Sequence, residues 1–246
     1  MMKMDKVLVF EISSKMAHFR KFYTNSSSLS YFFPPKTVIS GMIAGFLGYQ
    51  RDTYYELFDE KAKISVEIIN ALRKKIQVVN YLFVKSVTDL RGFSGGTQIP
   101  LEFVLPVDFS KDVSYRIYFY HEVGEIYQAL KETLENSRYR YPLYMGLSEL
   151  PATAKYIGEF STTQINTDSE IEISTVIPTD CVIDISKIMY KNQSVYKDKM
   201  PVEFTKERKL KKVKDYIFNP NGESISTKVS STVYQVHHLN RNIVLL

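Results

Sequence analysis

The chain has 246 residues, 44% of them hydrophobic, enough to bury one large domain or one domain with an appendage. Its 32 Lys and Arg against 27 Asp and Glu leave a formal net charge of +5, too small an excess to single out a nucleic-acid partner by itself. A single cysteine, Cys181, excludes an intramolecular disulfide framework and a cysteine-based zinc cluster.

Met1–Phe10 carries only a short apolar run, too short for a signal peptide. The longest apolar stretch, Val38–Tyr49, falls well below the ~20 residues of a membrane span. A soluble, cytoplasmic chain is expected. Lys6–Ile12 alternates as a strand, and a polar loop follows from Ser13 to Ser30, including the run Ser26–Ser28. After Pro35, which suits a first helical turn, Val38, Ile39, Met42, Ile43, Phe46 and Leu47 recur at helical spacing. Gly41, Ala44, Gly45 and Gly48 keep the other side of that helix small, as expected for close packing on a sheet.

Lys63–Ile69 and Lys75–Lys85 read as extended, and a second long connection runs from Ser86 to Pro100. Leu101–Pro106 and Tyr115–Tyr120 are expected to form a returning hairpin. Val123, Ile126, Tyr127, Leu130 and Leu134 mark an amphipathic helix. Tyr141–Pro151 is rich in turn signals, and Tyr156–Ile165 closes the series as a strand. The order strand, helix, strand, strand, helix, strand points to an α+β, ferredoxin-like (RNA-recognition-type) domain over residues 1–165, with a protruding β-hairpin arm at about 86–100. Residues 166–246 read as a small, mostly β appendage. It comprises Glu170–Ile185, in which Thr179–Ile183 is a strand burying an inert Cys181 thiol, then a basic cluster over Lys206–Lys214, then short β runs over Glu223–Val244.

Cations interleaved with aromatic rings suit single-stranded RNA, because ammonium and guanidinium groups neutralise phosphates while rings stack on unpaired bases. Lys15, His18, Arg20, Lys21 and Tyr23 form one such set, and Arg138–Tyr144 another. Gly146-Leu147-Ser148-Glu149 adds a glycine that would let backbone N–H groups approach a phosphate. Enzyme signatures are sparse. Gly92–Thr97 lacks the Gly-Lys-Ser/Thr ending of a P-loop, no HExxH, CxxC or GxSxG occurs, and His237-His238 has no carboxylate at ligand spacing. A metal-free ribonuclease would need His, Lys and Tyr groups converging on the 2′-OH and the leaving oxygen. His18, Lys36 and Tyr23 supply those residue types without showing convergence.

Three stretches carry a resemblance. Ala17-His18-Phe19-Arg20-Lys21-x-Tyr23-Thr24, followed by Phe33-Pro34-Pro35-Lys36-Thr37 and the glycines 41, 45 and 48, is similar to the opening of the fifth CRISPR-associated protein family of the RAMP superfamily. Tyr141–Glu149 resembles that family's second signature, and Thr97-Gln98-Ile99-Pro100-x-Glu102-Phe103 its returning arm. The closest flavour is the subtype I-B branch. The resemblance implies a non-catalytic subunit of the type I Cascade complex that holds the 5′ handle of the crRNA. Its implied partners are crRNA, the backbone subunit and the large subunit, with target DNA met only through the complex, no membrane and no cofactor. Lys15, His18, Arg20, Lys21, Tyr23 and Lys36 would then meet the handle. Tyr144, Gly146, Leu147, Ser148 and Glu149 would shape its path, and Arg91, Thr97 and Gln98 on the arm would press on the nucleotide between handle and spacer. One branch of the family cuts precursor crRNA, so a metal-independent endoribonuclease is the alternative. No clear counterpart of that branch's Tyr-Lys-His set is present, since His121 lacks an adjacent lysine. A stand-alone RNA-recognition module is the third reading, for which the RNP-type Gly-Phe-Gly-Phe pattern is missing.

Overall fold

The computed structural model describes residues 4–24, 27–166, 169–184, 188 and 194–246. Met1–Lys3, Ser26 of the serine run and Ile185 at the end of an expected strand lie outside the described residues. The fold is mixed α and β, with strand predominating.

Its centre is a six-stranded sheet made from β1 (Lys6–Ser14), β4 (Ala62–Ile68), β7 (Val113–His121), β8 (Thr153–Ile165), β14 (Val233–Val236) and β15 (Arg241–Ile243), in the order β15-β14-β8-β1-β7-β4. All neighbours are antiparallel. Within β1, β4, β7 and β8 the spatial order is fourth, first, third, second. Helix α1 (Lys36–Leu47) connects the first to the second of these strands, and α3 (Gly124–Glu135) the third to the fourth. Strand periodicity sets the two faces. Leu8, Phe10 and Ile12 of β1, with Tyr115, Ile117 and Phe119 of β7, pack against Ile39, Ile43 and Phe46 of α1 and Ile126, Leu130 and Leu134 of α3. Val7, Val9 and Tyr118 turn to the opposite face and meet Tyr234, Val236 and Ile243.

The long hairpin between β4 and β7 is β5 (Leu72–Leu82) paired along its length with β6 (Gly96–Pro106). This corrects the expected hairpin between Leu101–Pro106 and Tyr115–Tyr120. β6 pairs with β5, while β7 sits in the central sheet between β1 and β4. Beyond its base the hairpin is exposed on both faces. Its tip is a 3-10 turn over Val87–Arg91, closed by a capping box in which Asp89 accepts from the Ser86 N–H. A short helix that periodicity does not reveal, α2 (Tyr55–Asp59), follows α1.

Residues after 166 build on this frame. β14 pairs with the far half of β8, so the central sheet runs across the boundary expected at 165/166. β9 (Ile171–Ile173) pairs with β13 (Ile225–Thr227). β10 (Ile177–Pro178), β12 (Leu210–Phe218) and β11 (Tyr196–Phe204) form a three-stranded sheet whose Met200, Val202, Tyr216 and Phe218 join the main core around Phe33. The strand expected over Thr179–Ile183 is instead a 3-10 turn over Thr179–Cys181. Pro178, with φ fixed near −59°, caps that turn and has no N–H to continue a ladder. Cys181 is partly buried there, which pushes its thiol pKa up. Among the described residues, no helix is long and apolar enough to cross a membrane.

Candidate nucleic-acid interface

Two short strands fold the polar loop after β1 back on itself. β2 (Phe19–Arg20) pairs with β3 (Ser30–Tyr31), and the loop's edges bridge to β6 at Ala17–Val104 and Ser28–Leu101. Glu102 of β6 fastens this junction. Its carboxylate accepts from the Ser30 N–H at 2.9 Å and the Lys74 ammonium at 3.0 Å, and its carbonyl lies 2.8 Å from His18 Nδ1. The loop is thereby bolted to the base of the arm.

A groove of about 1200 Å³ opens beside this junction, walled by the loop, the exposed side of α1, the inner edge of the arm and the 141–147 turn. His18, Arg20, Gln98, Tyr144, Gly146 and Leu147 line it together, although the sequence separates them into three stretches. Arg20 is exposed, donates from Nη2 to the Thr24 carbonyl at 3.1 Å, and has no carboxylate at ion-pair distance among the described residues. Tyr81, opposite Thr97 on the arm, also faces the groove; burial first, then the Glu149 charge, raise its phenol pKa. Tyr81 and Tyr144 give the groove exposed rings, and Arg20 gives it a free cation.

The other expected residues stand elsewhere. Lys15 is exposed and pairs with Asp112 at 2.6 Å. Lys21 is largely buried against Asp198 of β11 at 2.6 Å, with its ammonium over the Tyr23 and Tyr31 rings. Tyr23 is half exposed, beside Asp198. Lys36 is buried at the start of α1 and donates to the Asp59 carbonyl at 2.7 Å. Burial first, then Lys63, hold its pKa down at about 8. Ser148 donates to Glu149 on the exposed side of the turn, Thr97 is half-buried on the arm, and Arg91 is exposed at the arm tip.

Gly146 has a structural reason to be glycine. Its φ is +91°, and a Cβ there would lie 1.8 Å from the His18 carbonyl oxygen. The two segments also share a hydrogen bond from the His18 N–H to the Met145 carbonyl at 3.0 Å.

The small side of α1, expected against a sheet, faces the groove. Gly41 and Gly45 line it, and a Cβ at Gly45 would meet nothing within 4 Å, whereas Ile39, Ile43 and Phe46 face the sheet. Sequence reading missed Arg51, Tyr54, Tyr55 and Phe204, which also line the groove, and showed Arg208, a further lining residue, only as part of the Lys206–Lys214 cluster. In that cluster Lys206, Lys211, Lys212 and Lys214 pair with Glu56, Glu203, Glu203 and Asp180.

The two buried histidines are consumed by the fold. His18 Nδ1 faces a carbonyl, which can only accept, so Nδ1 carries the proton and Nε2 accepts from Ser28 Oγ at 3.0 Å. His121 donates from Nε2 to the Leu57 carbonyl and accepts the Val123 N–H at Nδ1, both at 3.0 Å. Burial lowers the pKa of each. Among the described residues, no group of three or more His, Cys, Asp and Glu could hold a metal ion.

The fold has relatives among solved structures. A crystal structure of a CRISPR protein from Archaeoglobus fulgidus superposes over 97% of this chain and 98% of its own, with a TM-score of 0.60 and 12% identity. The fold is one that CRISPR proteins use. A chain of a CRISPR RNA-guided surveillance complex covers 89% of this chain and 91% of its own at a TM-score of 0.50 and 10% identity. No protein-family model matches the chain, and no curated protein matches its sequence.

Proposed function

We propose that the chain is a non-catalytic crRNA-binding subunit of a type I CRISPR effector complex, that it holds the 5′ handle of the guide in the groove over α1, and that it is of the subtype I-B kind. The observation that carries this reading is the convergence of Arg20, Gln98, Tyr144 and Gly146, from three segments, on one open groove with free cation and ring surface. Single-stranded RNA needs that combination. The fourth-first-third-second strand order with two helices on one face supports reading the core as ferredoxin-like, and the likeness to CRISPR proteins agrees with it.

The arm supplies the second half of the reading. A two-stranded hairpin without a core is marginal in water, yet this one carries Ile76, Val78, Leu82, Val87, Leu90 and Phe93 exposed. Such a surface fits the neighbouring backbone subunit of the complex, with the large subunit docking elsewhere and target DNA met only through the assembly.

The endoribonuclease alternative has less support. A histidine acting as general acid or base needs a ring nitrogen free to exchange a proton with the substrate, and a lysine needs its amine within reach of it. His18 and His121 have both nitrogens engaged, and the Lys36 ammonium is buried away from the groove.

The test is incubation of the full chain with labelled CRISPR repeat RNA in EDTA, scored for binding and cutting. Binding without cleavage is expected. Specific cleavage at the base of the repeat hairpin would replace this reading with the nuclease. Failure to bind either alone or when co-expressed with the backbone subunit would remove it.

A further inference from the structure

The far end of the groove holds a cluster that no sequence motif marks. Asp52, in the turn after α1, lies between two arginines from distant parts of the chain. Arg51 Nε is 3.4 Å from its Oδ2, and Arg208 Nε, from the β11–β12 turn, is 3.1 Å from its Oδ1. The Tyr55 hydroxyl donates to the same Oδ1 at 2.7 Å. All four residues line the groove.

Three features separate this cluster from an ordinary surface ion pair. First, the charge does not balance. Two guanidiniums share one carboxylate, and each has more N–H donors than that carboxylate can accept from once Tyr55 has taken its place. Second, both arginines stay well exposed, at 78% and 54% of the side chain, where ion pairs contribute little stability. Third, the backbone is held in an uncommon region at two of the residues, with φ +65° at Asp52 and +60° at Arg208. The Arg208 turn is closed by its own N–H to the Thr205 carbonyl and by the Thr205 N–H to the Lys209 carbonyl, both 2.9 Å. Local strain of this kind tends to gather where a side chain must be aimed. On the α1 wall of the same groove the surface is low at Gly45, where a Cβ would meet nothing within 4 Å, while the Tyr54 hydroxyl lies over Gly41, 2.9 Å from where a Cβ would stand.

We infer that Arg51 and Arg208, aligned by Asp52, form a seat for a phosphodiester of single-stranded RNA. The inference rests on the RNA-binding reading above and extends it. It assigns the β11–β12 turn a part in the interface, so the guide is gripped at both ends of the groove by elements from opposite ends of the sequence. Arg51 and Arg208 contact the phosphate; Asp52 is a positioning residue.

The experiment is a salt titration of binding to labelled single-stranded repeat RNA by the full chain and its variants, each checked for an unchanged melting temperature. Arg51→Gln and Arg208→Gln are each expected to weaken binding several-fold and to reduce the slope of log K against log salt by about 0.7, the value for one lost phosphate contact on a single strand. Asp52→Asn keeps both cations and an αL-tolerant residue, so it is expected to lower affinity while leaving the slope intact. Lys209→Ala, on the same turn but outside the groove, should change neither. If Arg20→Ala lowers the slope and the two Gln variants match the parent, the seat is overturned and the groove reading survives. If none of these variants alters binding, the seat and the groove reading fall together. If Asp52→Asn behaves like the parent, the positioning role is overturned.

Discussion

The carbonyl oxygen of His18 occupies the space in which any side chain at Gly146 would begin, 1.8 Å from the Cβ position. This close approach joins two of the three segments on which the sequence resemblance rests. It means that the wall formed by residues 141–147 and the wall formed by the loop after β1 are set by each other.

Gly146→Ala should therefore act on both walls at once. Its φ of +91° costs about 1–3 kcal/mol for a non-glycine residue before the clash is counted. Urea denaturation should show a lower midpoint, and RNA affinity should drop beyond what the stability change explains. An unchanged midpoint would mean that the loop can retreat from the turn freely.

Arg20 and Lys21, adjacent in sequence, should separate in experiment. Lys21 and Asp198 bury each other, with side chains 13% and 10% exposed, and removing one partner from such a pair costs about 3–5 kcal/mol. Lys21→Ala and Asp198→Ala should each destabilise strongly, and the double variant by less than their sum. Arg20→Ala should change stability by less than about 0.5 kcal/mol and lower the salt slope of RNA binding. A double-mutant cycle with no coupling would dissolve the Lys21 tie.

Lys36 should behave as a core residue. Its pKa is about 8, against an ordinary value of 10.5, because burial, then Lys63, disfavours the ammonium. The unfolded chain then binds more protons than the folded one between pH 8 and pH 10.5, so this group makes stability rise as pH climbs through that window. Lys36→Met should remove that rise, cost no more than about 1 kcal/mol at pH 7 for the lost hydrogen bond, and leave the salt slope of RNA binding unchanged. A lower slope would return Lys36 to the interface.

The arm tip should matter to assembly and not to folding. Val87 and Phe93 are 83% and 92% exposed, so changing both to Ser should alter stability by less than about 0.5 kcal/mol per site. Co-purification with the backbone subunit should fall sharply. Intact assembly would leave the exposed apolar tip without a role in the complex.

Legibility in the sequence followed how local each signal was. Helix α3 showed itself because Ile126, Tyr127, Leu130 and Leu134 fall on one buried face and the rest of the helix is polar. The pairing of the arm did not, because Ile76 and Val78 give β5 the apolar look of a core strand although they are exposed. Basic and aromatic residues in the loop after β1 were visible. Which of them point outward was not, because Asp198 and Asp59, the groups that take up Lys21 and Lys36, lie on other elements. Gly41 and Gly45 were visible too, but periodicity alone does not say whether a small helix side meets a sheet or a groove. That Arg208 meets Asp52 beside Arg51 is set by tertiary contact; the sequence showed Arg208 only as one member of the Lys206–Lys214 basic cluster.

The stitching of residues 233–246 into the central sheet has a consequence in time. β14 pairs with the last four residues of β8, the Val244 carbonyl accepts from Ser65 Oγ at 2.5 Å, and the Leu246 N–H reaches the Ile64 carbonyl at 2.8 Å. The end of the sequence is thus tied to β4, made within its first third, a topology of high contact order that folds slowly. On a ribosome the sheet stays unfinished until residues 233–246 have been made. The loop that walls the groove is itself held by Asp198 and Lys199 of β11, and Phe204 and Arg208 line the groove, so a guide RNA would meet a finished groove only once those late residues have also been made.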